Sequence, residues 1–179
     1  MIKEYYTRLR NAFTGRFLAF LLCSQLFVKG TVFLIANSTM LPIFKHMNVD
    51  AVHVQLYVTL SMSPWTIKPL VGVISDCLTV RGYHKRFYLI QCIIIGTISG
   101  IALSIIPHQL SLTFLLVVCF FGLHYETSIL DLLSEGTYAR LMREHPETGT
   151  DIITLVNGFQ TAGALIGLAF VGPLSDEQL

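Results

Sequence analysis

The sequence predicts an all-α membrane protein with five transmembrane helices. Three observations carry that prediction. Hydrophobic residues make up 53% of the 179 residues while charged residues make up only 13%, about half the charged share of an ordinary soluble domain. The apolar residues are gathered into long runs, each near the roughly 20 residues that a helix needs to cross a bilayer. Ten of the twelve Lys and Arg residues fall outside those runs, nine of them in the N-terminal arm and in every second loop.

The elements follow in order. Residues 1–16 form an N-terminal arm with Lys3, Arg8, Arg10 and Arg16. The five-span region covers residues 17–174. The first span is expected over 17–41, ended by Pro42, and the second over 52–75. The third, 87–107, is almost purely apolar; the fourth covers 112–136. The fifth covers 151–172, ended by Pro173. Residues 175–179 are a short tail. About two thirds of the chain is thereby placed in lipid, which leaves no room for a separate soluble domain. A cleaved signal peptide is a poor reading of the first run, which is too long, is interrupted by Lys29, and lacks a small-x-small cleavage site.

Charge and cysteine usage exclude other classes. Twelve Lys+Arg against eleven Asp+Glu leave a net charge of +1, too little for a nucleic-acid binder built on bulk positive charge. Cys23, Cys77, Cys92 and Cys119 have no CxxC or zinc spacing, so neither a disulfide framework, a metal site nor a cofactor is expected. The absence of HExxH and GxSxG argues against an intramembrane enzyme. Orientation follows from the basic residues. The arm, the loop with Arg81, Lys85 and Arg86, and the loop with Arg140 and Arg143 lie on one side, against only Lys45 in the opposite loops. The basic side is expected to be cytoplasmic, with the N-terminus inside and the plasma membrane preferred over an organelle. The sequon Asn37-Ser38-Thr39 lies in the outer part of span one, out of a glycosyltransferase's reach.

The informative residues are the ionisable ones inside the spans. A charge at the bilayer centre costs at least ~2.5 kcal/mol, so such groups face a partner or a cavity. Lys29 lies about 18 Å into span one and Glu126 about 15 Å from the inner end of span four, similar depths with opposite signs. Lys68 and Asp131 make a second level nearer the cytoplasm. Asp131, Glu135, Ser128 and His124 share one stripe of span four, and Gln25 and Lys29 are i,i+4 on span one. On span two, Tyr57, Ser61, Pro64, Lys68, Gly72 and Ser75 form a small, polar face opposed to Leu60, Ile67, Leu70, Val71 and Ile74. These residues either line a wet pathway, with Lys29, Lys68, Glu126 and Asp131 as substrate or proton-coupling groups, or are neutralised pairs that hold the bundle together. Gly163 and Gly167 form a GxxxG that lets span five pack closely on a neighbour.

The most specific stretch is Pro64-Trp65-Thr66-Ile67-Lys68-Pro69-Leu70-Val71-Gly72-Val73-Ile74-Ser75-Asp76, followed by Arg81-Gly82-Tyr83-His84-Lys85-Arg86. Gly72, Asp76, Arg81, Gly82, Lys85 and Arg86 are candidates for a cytoplasmic gating loop, in which Asp76 pairs with a nearby cation and a charged latch holds one state of a rocking transporter. The pattern Gly72-x-x-x-Asp76…Gly82…Lys85-Arg86 resembles the signature loop between helices two and three of the major facilitator superfamily, with a longer stretch from Asp76 to Gly82. That longer form, with Pro64-Trp65-x-Ile67-Lys68-Pro69-Leu70 before it and Gly82-Tyr83 after it, resembles the folate-biopterin transporter family. Lys29-Gly30 is similar to that family's first-helix Lys-Gly, and Asp131 resembles a family acidic position. The resemblance spans roughly residues 22–174.

The resemblance implies a bundle of twelve spans in two six-helix halves, with a folate, pterin or related compound held between the halves and moved with protons in several members. The chain is then a partial N-terminal half of a major-facilitator-type bundle, expected to be a truncated member. Carboxylates of a folate would seek Lys29 or Lys68, and its flat ring would seek Tyr57, Trp65 or Tyr125. The expected partners are the lipid bilayer, the folate or pterin-like substrate, and a second transporter half or full-length relative. No nucleic acid is expected. The alternative is a non-transporting membrane protein that associates with a full-length relative through its glycine-rich fifth helix.

Overall fold

In the computed structural model, residues 7, 9–10, 13–78 and 85–176 are described, with side chains to residue 172. Arg81 and Gly82 of the expected gating loop lie outside the described residues. Five long helices account for nearly all of the rest. Helix α1 is Gly15–His46, α2 is Ala51–Cys77, α3 is Arg86–Ile105, α4 is Thr113–Glu144 and α5 is Gly149–Asp176. Single 3₁₀ turns at Leu110–Leu112 and Pro146–Thr148 lead into α4 and α5.

Four of the helices, α1, α3, α4 and α5, are long and apolar enough to cross a membrane. Helix α2 has the length, at 27 residues, but its polar face lowers its average hydropathy. The exposed surface elsewhere is what lipid requires. Phe87, Ile90, Ile93, Ile94, Ile98, Ile101 and Ile105 of α3 all point outward, while Cys92, Gly96 and Ser99 turn inward. In a soluble protein such a stripe would face the core.

Several helix ends run past the sequence-based spans, whereas α3 stops at Ile105, two residues short of its expected end. Pro42 does not end α1, which continues to His46. The stop comes from Asn48, whose φ of 56° is the left-handed conformation that Asn tolerates. The Asn48 amide donates to the Lys45 carbonyl and the Val49 amide to the Phe44 carbonyl, the paired bonds of a Schellman stop. Asp50 then caps α2 by accepting from the Val52 amide at 3.2 Å. Helix α4 runs past residue 136 to Glu144, so Arg140 and Arg143 stand on a helix and not in a loop. Helix α5 likewise passes Pro173 to reach Asp176.

The chain divides into two compact units. The first is Met1–Leu34 with Ser134–Leu179. Its apolar centre is Leu9, Phe13, Leu18, Leu21, Ile152 and Val156. The N-terminal arm therefore contributes core, with Leu9 and Phe13 buried and the Phe13 ring edge-on to His145 at 5.8 Å. The second unit is Ile35–Leu133. Its centre is Ala36, Met40, Phe44, Met47, Val54, Leu116, Val117 and Phe120, with the Phe44 ring against both Phe120 and Tyr57.

Within the first unit, α1 contains an unusual segment. Residues Leu22–Val32 are π-helical. Such wide turns are rare and tend to occur at functional sites. They carry Gln25, Lys29 and Gly30, and Gly30 lies directly against α5. A Cβ on Gly30 would stand 2.7 Å from the Gly163 Cα and 2.8 Å from the Gln160 carbonyl oxygen. Gly163 is equally intolerant, since its own Cβ would fall on the Leu26 carbonyl oxygen. Thr31 closes the contact by donating to the carbonyls of Leu26 and Gly163, each at 3.0 Å.

A buried ion pair and its polar surroundings

The strongest polar contact joins α2 to α4 within the second unit. Lys68 Nζ donates to Asp131 Oδ2 at 2.7 Å, with the lysine side chain 17% exposed and the aspartate 2%. The depths inferred from the sequence place these two residues at one level, and they meet. Lys68 also lies 5.5 Å from the centre of the Trp65 ring, within the range of a cation–π contact. Helical spacing accounts for this, because residues 65 and 68 are neighbours on one face of α2. One turn further on, Gly72 lets α4 approach, with the Leu132 methyl group 3.4 Å from where a Cβ would be.

The polar face of α2 is the face that packs. Ser61, Pro64 and Ser75 are buried, whereas Leu60, Ile67, Leu70 and Ile74 are exposed. The matching stripe of α4 is buried as well. His124, Thr127, Ser128 and Asp131 are each no more than 2% exposed. Thr127 and Ser128 satisfy their hydroxyls on the His124 and Tyr125 carbonyls. Ser61 Oγ is buried without a hydrogen-bond partner. Buried hydroxyls are normally paired, so this level of α2 is short of one polar contact.

The remaining expected residues are distributed. Tyr57 does not join Trp65. It stands near the start of α2 against Phe44 and His53, at 5.7 and 6.2 Å between rings, about 16 Å along the helix from Lys68. Tyr125 is half-buried on α4. Glu126 is half-buried and faces Gly96 of α3. Lys29, half-buried, belongs to the first unit, where Gln25 on the same segment donates from Nε2 to Ser134 Oγ at 2.9 Å. Of the gating-loop residues, Asp76 and Lys85 stand 3.8 Å apart. Both are well exposed, and such a pair contributes about 0–1 kcal/mol. Arg86 is the first residue of α3.

Gly163 and Gly167 act in packing, but inside this chain. Gly163 meets Leu26 and Gly30, and Gly167 meets Thr31 and Leu34, all of α1. The Gly163 and Gly167 positions of α5 are thus packed on α1 of the same unit, while Gly158 and Gly172 have nothing within 4 Å of an added Cβ. Among the described residues, no group of three His, Cys, Asp or Glu side chains could hold a metal ion. Sequence reasoning missed Gly30, Gly96 and Gly122 as close-approach positions. The available signal was small residues three or four apart on each helix, and it does not say which ones meet.

Comparison with known proteins identifies the family of the chain. The BT1 family model matches residues 29–179. An Arabidopsis thaliana protein named probable folate-biopterin transporter 6 is 29% identical over 122 residues, covering 66% of this chain and 23% of that protein. Probable folate-biopterin transporter 4 of the same plant is 22% identical over 169 residues, 92% of this chain and 34% of its own length. The chain thus spans about a quarter to a third of the length of these curated relatives. No solved structure matches it. With the matched region covering both the Trp65–Asp76 stretch and the Lys68–Asp131 pair, the chain belongs to the BT1 family of folate-biopterin transporters.

Proposed function

We propose that this chain supplies part of the membrane pathway of a transporter for folate or pterin-type compounds, with all five long helices crossing the bilayer and the N-terminus in the cytoplasm of a plasma membrane. The observation that carries the reading is the Lys68–Asp131 pair beside Trp65. A lysine stacked on an indole offers a cation and a flat apolar surface side by side. A folate or pterin offers the complement, an acidic or polar edge on a flat ring.

The chemistry of exchange follows from charge balance. At rest Asp131 neutralises Lys68, which avoids the penalty of a lone charge in a low-dielectric interior. A substrate carboxylate that binds Lys68 displaces Asp131. The freed aspartate is then an uncompensated anion, and taking up a proton neutralises it. Substrate and proton are thereby coupled through a single lysine. Glu126 is a second carboxylate able to carry a proton in the same segment of the bilayer, and Lys29 a second cation. Asp76 and Lys85 form a weak latch at the helix ends that opening of the cytoplasmic side would break.

A purely structural role for the pair is the competing account, and uptake separates the two. Membrane vesicles carrying the protein, alone or with a complementary transporter half, should accumulate labelled folate or biopterin when an inward proton gradient is imposed. Asp131→Asn and Lys29→Ala should abolish that uptake at unchanged protein level. Unchanged uptake in both variants would remove the assigned roles. Association with a full-length relative through α5 is the weaker reading, because α1 already covers Gly163 and Gly167.

A further inference from the structure

Helices α3 and α4 of the second unit meet through two reciprocal notches. On α3, Gly96 has no side chain, and a Cβ built there would coincide with the Glu126 carboxylate and collide with the Glu126 Cβ. On α4, Gly122 has the same relation to Ser99, whose hydroxyl occupies the place of the missing Cβ. The two contacts are one helical turn apart and run in antiparallel register, 96 with 126 and 99 with 122. Gly100 differs. Its Cβ would have Leu123 at 3.6 Å, an ordinary contact, so alanine fits there.

We propose that Gly96 is a positioning residue for Glu126, holding its carboxylate folded onto the backbone of α3. The inference rests on the reading of Glu126 as a substrate- or proton-coupling group. The geometry gives the reason. A glutamate side chain has three freely rotating bonds and would otherwise sample many directions. The notch removes most of them, because the carboxylate fits only where residue 96 has no side chain. Its oxygen then rests on the Gly96 Cα–H, a weak but oriented contact. Any side chain at 96 expels the carboxylate and changes which groups it can reach.

The test is carboxyl labelling of the membrane-embedded chain with a hydrophobic carbodiimide, read by peptide mass spectrometry at residue 126, with Glu126→Gln as the blank. Gly96→Ala should raise labelling of Glu126 by about threefold or more, because a carboxylate packed into a close-fitting slot is released from it. Gly100→Ala and Gly122→Ala should leave labelling near the wild-type level, although Gly122→Ala disturbs the same interface. Unchanged labelling in Gly96→Ala, or an equal rise in Gly122→Ala, would overturn the proposal. If Gly96→Ala does not accumulate in the membrane, Gly96→Ala/Glu126→Gly, which removes the colliding Cβ along with the carboxylate, should restore accumulation, and continued failure would also count against it. Uptake adds a readout that packing alone would not produce. Gly96→Ala should lower uptake in the wild-type background and cause no further loss in Glu126→Gln. If Glu126→Gln leaves uptake intact, the coupling role of Glu126 falls, while labelling still decides the position of its carboxylate.

Discussion

At the scale of single residues, two ion pairs in this chain have very different expected weights. Lys68–Asp131 is short and buried; Lys85–Asp76 is long and exposed. Removing one partner of a buried pair strands the other charge and costs about 3–5 kcal/mol, whereas losing an exposed pair costs about 0–1 kcal/mol. Lys68→Ala should therefore lower the thermal unfolding midpoint in detergent clearly, and Lys85→Ala should leave it almost unchanged. Equal shifts would mean that the buried pair is solvated in the membrane. The Lys68–Asp131 contact was readable from sequence because both residues had to find partners and lay at one depth. The Gly96–Glu126 contact was not, since nothing in a helix's sequence states which neighbour a carboxylate will fold onto.

At the scale of elements, the helix ends show where sequence patterns lose resolution. Pro42 reads as a terminator, yet the helix continues past it to His46, with only the hydrogen bond to the Ser38 carbonyl given up. The actual stop depends on the backbone of Asn48, which composition cannot reveal. Asn48→Ala should cost about 1–2 kcal/mol through the left-handed conformation, and Asp50→Ala about 1 kcal/mol through the lost cap. Thermal melts of the two variants check both, and a neutral Asn48→Ala would show that the Schellman turn is not needed. The π-helical segment of α1 had no sequence signal either, because helix periodicity does not distinguish wide turns from regular ones over three turns. Its contact with α5 gives a further prediction. Gly163→Leu must push α1 away, since even a Cβ collides with the Leu26 carbonyl. That variant should lose accumulation in the membrane, whereas Gly158→Leu, where nothing lies within 4 Å of the added Cβ, should not.

At the scale of the whole molecule, fold class and membrane character were legible because they depend on composition and run length, which the bilayer reads directly. The α2 polar stripe was legible too, as a face of period 3.6, although it leaves α2 without a stretch as apolar as those of the four candidate membrane helices. Orientation is the prediction proper to this scale. With the four native cysteines replaced, Lys45→Cys should react with a membrane-impermeant thiol reagent on intact cells, and Arg143→Cys should react only after the cells are opened. The reverse pattern would invert the topology. The central claim is that the charges between α2 and α4 serve transport and are not there for packing. Replacing the pair by Lys68→Met/Asp131→Leu tests it directly, because apolar residues of similar size commonly keep or raise stability at a buried ion pair. Folate or biopterin uptake into vesicles carrying this double variant is the measurement. The account predicts a chain that accumulates and melts like the wild type yet takes up nothing; uptake at the wild-type rate would contradict it.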